Sequence, residues 1–133
     1  METNYLNTDL DVLADFDLTP FTDELERKGM LLLDVSKRLD GTWSARLEEG
    51  GQSNNPEDTC AALLKVIESL TPEYRAIWSR CTLREFNLGY DCGLEPWAFQ
   101  SGISAEIVRR IADLGASLRV TLYPIGKDVD PTH

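Results

Sequence analysis

Histidine is almost absent from the sequence. The only one, His133, is the last of the 133 residues, and we expect the polar segment that carries it to be frayed. Catalytic Ser-His and Cys-His pairs need an imidazole that is held rigidly against the nucleophile. The sequence therefore predicts no histidine-based catalytic residues.

Cysteine is also scarce. Cys60, Cys81 and Cys92 are far apart, with no C-x-x-C spacing, whereas a zinc site uses four clustered Cys or His ligands. Phosphate-binding Gly-x-Gly-x-x-Gly and Walker-type loops are absent from the sequence as well. We therefore expect neither a metal nor a cofactor. The odd number of thiols fits a reducing compartment and predicts a cytoplasmic location.

Positive charge and long apolar runs are the other shortages. Lys and Arg number 13 against 23 Asp and Glu, which gives a formal net charge of −10. Nucleic-acid binding needs clustered Lys or Arg, so we expect no nucleic-acid partner. No run approaches the roughly 18 apolar residues that span a bilayer, and the first residues lack the features of a signal peptide, so we expect no membrane contact. The charge favours solubility or, more specifically, an acidic face that meets a basic partner.

The overall composition is typical of a globular protein. Apolar residues make up 42% and charged residues 27% of the chain, which is enough to build a core without disulfides. We expect a single domain over residues 1–133. Its ordered core is predicted at about 10–124, with flexible tails at 1–8 and 125–133.

The clearest local pattern is a helix followed by a strand, over Ile103–Pro124. Ser104 is a good N-cap, and Gly115 supplies the left-handed residue that ends a helix. Beyond it, apolar residues alternate with polar ones from Leu118 to Leu122, which is typical of a strand with one buried face. The other predicted elements are, in chain order, a strand at Leu10–Leu18, a helix at Thr19–Gly29, strands at Met30–Arg38 and Thr42–Glu49, a long helix from Asn55, a short helix from Thr71 and a strand at Leu83–Asp91.

The two strands on either side of Leu39-Asp40-Gly41 form a predicted hairpin. A two-residue turn would mix apolar and charged residues on both faces of this hairpin. A three-residue loop, with Gly41 as the left-handed residue, keeps one face apolar. The predicted register therefore pairs Val35 with Ala45, Leu33 with Leu47 and Lys37 with Trp43.

These elements predict an α+β fold with the order β-α-β-β-α-(α)-β-α-β. Five strands and three main helices suit a two-layer sandwich, in which the helices cover one face of a mixed, largely antiparallel sheet. We find no internal repeat and no linker that would divide the chain into two domains.

The segment Leu83–Pro124 resembles an uncharacterised bacterial family of domains of unknown function. The resemblance rests on Phe86-Asn87-Leu88-Gly89-Tyr90-Asp91, on a capped helix that ends in Ile111-Ala112-Asp113-Leu114-Gly115-Ala116, and on the closing strand at Tyr123. It implies a small, acidic, cytoplasmic, single-domain protein of bacterial origin. Some similar families are immunity proteins that block a secreted toxin. The resemblance implies no catalytic or binding residue.

Two groups of residues are candidates for a functional surface. The first is the sheet face away from the helices, which is either a solvated face held by cross-strand pairs or a recognition face. Its predicted members are Asp11, Asp15, Asp17, Asp34, Arg46, Glu85, Asn87, Arg119, Thr121 and Tyr123. The second is the loop that carries Trp97 and Phe99, which we interpret as a plug over the core, with an exposed docking patch as the alternative.

The sequence therefore favours a non-catalytic protein-binding module with a basic partner. An immunity-type inhibitor of a basic toxin domain is the more specific version of this hypothesis. A carboxylate-based enzyme or small-ligand binder is the alternative, with Asp15, Asp17, Glu85 and Arg119 as its candidate residues. A third hypothesis is self-association through the open sheet face or an edge strand. The oligomeric state that we expect is a monomer or a weak homodimer.

Overall fold

The computed structural model describes residues 1–51 and 53–125 of the chain. Within these ranges the protein forms five strands and four helices, in the predicted order, and the predicted α+β class is confirmed. In chain order they are β1 (Asn4–Ala14), α1 (Thr19–Arg27), β2 (Met30–Lys37), β3 (Trp43–Glu49), α2 (Pro56–Glu68), α3 (Pro72–Arg80), β4 (Leu83–Asp91), α4 (Ala105–Asp113) and β5 (Ser117–Tyr123).

The strands form one mixed sheet in the order β2-β3-β1-β4-β5. The pairs β2–β3, β3–β1 and β1–β4 are antiparallel, and β4–β5 is parallel. A parallel pair needs a crossover connection, and α4 provides it. Helices α1, α2 and α4 pack against strands of this sheet, so the predicted two-layer arrangement is confirmed.

The predicted bounds of β1 are wrong at both ends. The strand begins at Asn4 rather than Leu10, so residues 4–8 are not a flexible tail, and it ends at Ala14 rather than Leu18. Its first half pairs with β4 from Asn4 opposite Asp91 onward. The side chains there are largely polar, so the segment lacks the alternation of apolar and polar residues from which strands are predicted. Of the predicted second tail, residues 126–133, including His133, lie outside the described residues.

The hairpin between β2 and β3 has the predicted three-residue loop, with Gly41 at a φ of 90°. The pairs Val35–Ala45 and Lys37–Trp43 are confirmed, but Leu33 does not pair with Leu47. A bulge at Leu33 shifts the register, and Leu32 lies opposite Leu47 instead. Three successive leucines contain no alternation, so their sequence could not reveal which leucine faces the helices.

The core lies between the sheet and the helices. Its fully buried side chains come from β1, β3, β4, α1, α2, α3 and the turn before α1, and they include Leu10, Val12, Leu18, Phe21, Leu47, Leu63, Leu64, Ile67, Trp78 and Phe86. Two of the helices have side-chain caps at their first turns. Asn55 accepts a hydrogen bond from the Asp58 amide of α2, and Ser104 accepts one from the Ile107 amide of α4. These caps satisfy amides that have no partner within the helix.

Arg84, on β4, connects the end of α3 to the turn between α4 and β5. Its guanidinium donates hydrogen bonds to the carbonyl oxygens of Trp78 and Ser79, both at 3.0 Å, and of Cys81 at 3.2 Å. Its Nε donates to the carbonyl oxygen of Gly115 at 3.1 Å. The guanidinium also lies 5.9 Å from the centre of the Trp78 ring. One side chain therefore satisfies carbonyl groups from two separate segments.

We expect Arg84→Ala to lower the free energy of unfolding by about 2–3 kcal/mol, because a charged donor is lost and the carbonyl groups it served are left without it. Urea unfolding followed by circular dichroism measures the change. The matched control is Arg109→Ala, at an exposed position on α4, where a change within about 0.5 kcal/mol is expected. Equal losses in the two variants would contradict the role assigned to Arg84.

Candidate functional site

The candidate site is the sheet face that lies opposite the helices, which we call the open face. Side chains alternate across a strand, and in β1 the residues Thr8, Leu10, Val12 and Ala14 are buried on the helix side. Their neighbours therefore form the open face, together with the residues at equivalent positions on the other strands. The principal members are Asn7, Asp9, Asp11, Asp34, Ser44, Arg46, Glu48, Glu85, Asn87, Asp91, Arg119, Thr121 and Tyr123.

The centre of the open face is a broad depression of about 560 Å³. All five strands reach the open face, and β1 lies in the middle of the sheet. Asp11, Arg46, Glu85 and Arg119 lie around this depression, and Leu13 and Leu83 form part of its floor. The surface is wide and opens to solvent, which differs from the deep apolar pockets that usually hold small molecules.

Most of the predicted site residues do lie together on this face. Asp11, Arg46, Glu85, Asn87, Arg119 and Tyr123 are among its members, as are Asp34 and Thr121. Asp15 and Asp17 do not belong to it, because β1 ends at Ala14. Asp17 instead accepts a hydrogen bond from the Thr19 amide at 2.8 Å, at the start of α1. That hydrogen bond lowers the pKa of the Asp17 carboxyl.

Two arginines neutralise part of the negative charge on the open face. The Nε of Arg46 lies 3.0 Å from an oxygen of Asp11 and 3.7 Å from an oxygen of Asp9. The Nε of Arg119 lies 2.6 Å from an oxygen of Glu85, whose side chain is buried. Both arginines are already engaged with carboxylates, so neither is free to anchor an acidic ligand.

The sequence did not reveal Asn7, Asp9 and Glu48 as part of the site. Asn7 donates its side-chain amide to an oxygen of Asp9 at 3.1 Å and to an oxygen of Glu48 at 2.9 Å. Asp9 also lies directly opposite Glu48 in the pairing of β1 with β3. Counting back from Asp11 in steps of two reaches Asp9 and Asn7, and counting forward from Arg46 reaches Glu48. This alternation is the signal that could have identified all three residues.

The Asp9 carboxyl is the most perturbed acidic group of the open face. Burial raises its pKa to about 6, and the neighbouring Asp11 carboxylate and Glu48 add to the rise, while Arg46 opposes it. The Asp9 side chain is 16% exposed. Burial of an ionised carboxylate beside others of the same charge destabilises the folded state, and groups with such perturbed pKa values are more common at functional sites than elsewhere.

The residues proposed for a carboxylate enzyme are not assembled. Glu85 and Arg119 form an ion pair, but Asp15 and Asp17 lie beyond the end of β1. Burial raises the pKa of both the Cys60 and the Cys81 thiol to about 11, which opposes formation of the reactive thiolate. Among residues 1–51 and 53–125, no cluster of His, Cys, Asp and Glu has the arrangement needed to hold a metal ion.

The aromatic loop between β4 and α4 is only partly packed. The Phe99 ring lies edge-on to the Tyr90 ring, with their centres 5.8 Å apart. Trp97 is 99% exposed, so the interpretation of this loop as a plug is wrong for Trp97. The backbone of this loop is held instead by the N-terminal residues, since the Thr3 amide donates a hydrogen bond to the Glu95 carbonyl oxygen at 2.7 Å.

Comparison of the chain with protein-family models, curated proteins and solved structures finds no match. The resemblance to a bacterial family therefore stays a prediction. No helix in the described part of the chain combines the length and the apolar character needed to cross a membrane.

Proposed function

We propose that this protein is a non-catalytic binding module whose open face binds a basic protein. The observation that carries the proposal is the imbalance of charge on that face. Asp9, Asp11, Asp34, Glu48, Glu85 and Asp91 outnumber Arg46 and Arg119 on one continuous surface. A field of one sign steers a partner of the opposite sign and speeds its association.

The shape of the surface supports a protein as the partner. A broad depression leaves a small ligand largely in water, whereas a partner with a convex basic surface can cover it. The same surplus of carboxylates repels phosphate groups, which disfavours nucleic acid as a partner of this face. A cytoplasmic location fits the three cysteines, since all are free thiols. An immunity-type inhibitor of a basic toxin domain is the specific form of this proposal that the sequence resemblance supports.

A carboxylate-based activity is the second candidate, and the raised pKa of Asp9 favours it. A carboxyl that titrates near neutral pH can give and take protons. The two candidates differ in which residues matter. Proton transfer depends on Asp9 alone, whereas steering depends on the exposed carboxylates at Asp34 and Asp91 as well.

The test is an affinity capture from the host lysate with the unmodified protein. The same measurements are then made with the double variant Asp34→Asn/Asp91→Asn. Both residues are exposed on the open face, so the substitutions remove negative charge without disturbing the core. We expect the unmodified protein to retain a basic partner in stoichiometric amount. With the purified partner, we expect the association rate to fall about tenfold between low and physiological salt. The double variant should associate more slowly and depend less on salt.

The matched control is Glu73→Gln/Asp113→Asn, which removes the same charge from exposed positions on α3 and α4. Its association rate should remain within about twofold of the unmodified protein, since these groups lie on the opposite side of the sheet. A salt-independent association rate, or equal slowing by the two double variants, would show that the open face does not steer the partner.

A further inference from the structure

The two edge strands of the sheet differ in how they are protected. A strand edge presents unpaired N–H and C=O groups, and proteins usually protect it with charges, proline or a bulge. β2 has such features, namely a bulge at Leu33 and charged residues at Asp34 and Lys37. β5 has no carboxylate and no lysine, and its single charged side chain, Arg119, is paired with Glu85.

The helix-side surface of β5 is apolar, and nothing within residues 1–51 and 53–125 covers it. Leu118, Val120 and Leu122 are 46%, 54% and 61% exposed, so the buried face predicted for this strand is wrong. They lie on the helix side because their partners on β4 are the buried residues Phe86, Leu88 and Tyr90. Helix α4 buries Ile107 and Ile111 but leaves the row on β5 open to solvent. An unprotected edge and an exposed apolar row therefore coincide on the same strand.

The sequence of β5 is complementary to itself in the antiparallel direction. A two-fold axis at Val120 would place Val120 opposite its copy and Leu118 opposite Leu122 of the copy. On the other face it would place Arg119 opposite Thr121 of the copy, so that like charges do not meet. All seven residues of Ser117–Tyr123 pair in this register. An axis at Arg119 would bring two guanidinium groups together, and an axis at Thr121 would pair fewer residues, because Pro124 follows the strand.

We propose that two copies of the chain associate through antiparallel pairing of β5 with β5, which joins their sheets into one. A second copy fits this edge better than it fits the open face. The chain carries a net charge of −10, and two open faces would repel each other, whereas β5 contains no negative charge. One strand pair with three apolar side chains on each copy is smaller than a standard interface, so the dissociation constant is expected in the micromolar range.

The proposed dimer has a consequence for the open faces. A two-fold axis perpendicular to the sheet keeps both helix layers on one side, so both open faces lie on the other. A partner with two basic sites would then engage both copies, and binding would be tighter than at one copy. The dimer does not depend on the proposed function, because β5 pairing involves no partner and leaves the exposed carboxylates at Asp34 and Asp91 free.

The first test is sedimentation equilibrium of the full chain from about 5 to 500 µM, a span chosen to bracket micromolar association. We expect the mass to rise from that of one chain to that of two. In Val120→Lys, two ammonium groups would face each other at the axis, and we expect the dissociation constant to rise at least thirtyfold. The matched control is Leu31→Lys on the other edge strand, at a leucine that is 49% exposed, where the constant should stay within twofold.

The second test addresses the register. Directly opposed residues in an antiparallel pair have Cα atoms close enough for a disulfide. Under mild oxidation at high concentration, Val120→Cys should therefore link to its copy. Leu118→Cys should not, because it faces Leu122 of the copy. Circular dichroism confirms that each variant is folded.

Three outcomes of these two tests would overturn the proposal. They are a mass that remains that of one chain at the highest concentration, Val120→Lys that associates as tightly as the unmodified protein, or a disulfide that forms equally well at both positions. Hydrogen exchange of the β5 amides tests whether another part of the same chain covers this edge. Protection that is independent of concentration would show that the edge is covered within a single chain, which would also exclude the dimer.

Discussion

Replacing Trp78 with alanine is expected to lower the free energy of unfolding by about 3–5 kcal/mol. The side chain is 1% exposed and is the largest of those that are fully buried. Its ring packs 6.4 Å from the Phe21 ring, centre to centre. Its Nε1 donates a hydrogen bond of 2.8 Å to the carbonyl oxygen of Leu114. The substitution removes apolar contacts, leaves a cavity and takes the donor from a buried carbonyl at once.

The loss is large compared with the total stability of a domain, which is typically about 5–15 kcal/mol. Trp78 also connects three parts of the fold, since it lies on α3 and contacts α1 and the end of α4. We therefore expect Trp78→Ala to be marginally folded at room temperature. Urea unfolding followed by circular dichroism gives the change directly.

Two controls separate the contributions at Trp78. Trp78→Phe keeps an aromatic ring but has no N–H, so the part of the loss that comes from the hydrogen bond should be about 1–3 kcal/mol. Trp97→Ala removes the same kind of side chain from an exposed loop and should change stability by less than about 0.5 kcal/mol. A loss below about 1 kcal/mol in Trp78→Ala would contradict the central position assigned to this residue.

Replacing Asp9 with asparagine is expected to stabilise the protein at neutral pH by up to about 3 kcal/mol. The pKa of the folded Asp9 carboxyl is about 6, against an ordinary value of 3.8, so the folded state holds the proton more tightly than the unfolded state does. As the pH rises from about 4 to 6, the unfolded carboxyl loses its proton first and stability falls. Above about pH 6 both states are ionised and the penalty is constant.

The difference between two pH values provides the measurement. Asparagine has the shape of the protonated acid, and its oxygen can still accept the hydrogen bond that Asn7 donates to Asp9. Its benefit should therefore be near its maximum at pH 7 and small at pH 4. Urea unfolding at both values measures it.

The matched control is Asp34→Asn, which removes the same charge at an exposed position on the same face. Its effect should stay within about 0.5 kcal/mol at both pH values. If Asp9→Asn lowered stability at pH 7, the attraction of Asp9 to Arg46 at 3.7 Å would outweigh burial and the repulsion by Asp11 and Glu48. The proposed energetic cost of the site would then be wrong.

A stabilising substitution at Asp9 would also bear on function. Sites that need closely spaced like charges trade stability for activity. We therefore expect Asp9→Asn to gain stability and to lose affinity for a basic partner. If Asp9 had only a structural role, the gain in stability would not be accompanied by a loss of affinity.

The fold could be predicted where short-range signals agree. Helix α4 and strand β5 were found because a serine cap, a glycine with φ of 70° at Gly115 and a clear alternation follow one another. The hairpin loop was found because one register alone separates apolar from charged residues. The bounds of β1 were wrong because the alternation continues through Phe16 and Leu18 into the turn before α1. Leu18 is indeed buried there, but not as part of a strand.

The sequence could predict which face of the sheet carries the candidate site, but not which of its residues lie next to one another. Period-two spacing assigns Asp11, Arg46 and Glu85 to one side of the sheet. It does not reveal that β1 lies between β3 and β4, which brings Asp11 opposite Arg46 on one side and Glu85 on the other. The raised pKa of Asp9 was out of reach for the same reason, because burial and the Glu48 carboxylate come from strands distant in sequence.

The central position of β1 has a consequence for synthesis of the chain on the ribosome. β1 is made first, but its neighbours begin only at Trp43 and Leu83. At about 5–20 residues per second, several seconds pass between the appearance of β1 and that of β4. Throughout that interval Leu10 and Val12, fully buried in the finished sheet, lack their partners on β4. The nascent chain therefore passes through a stage with an unpaired strand edge, and such edges are prone to aggregation.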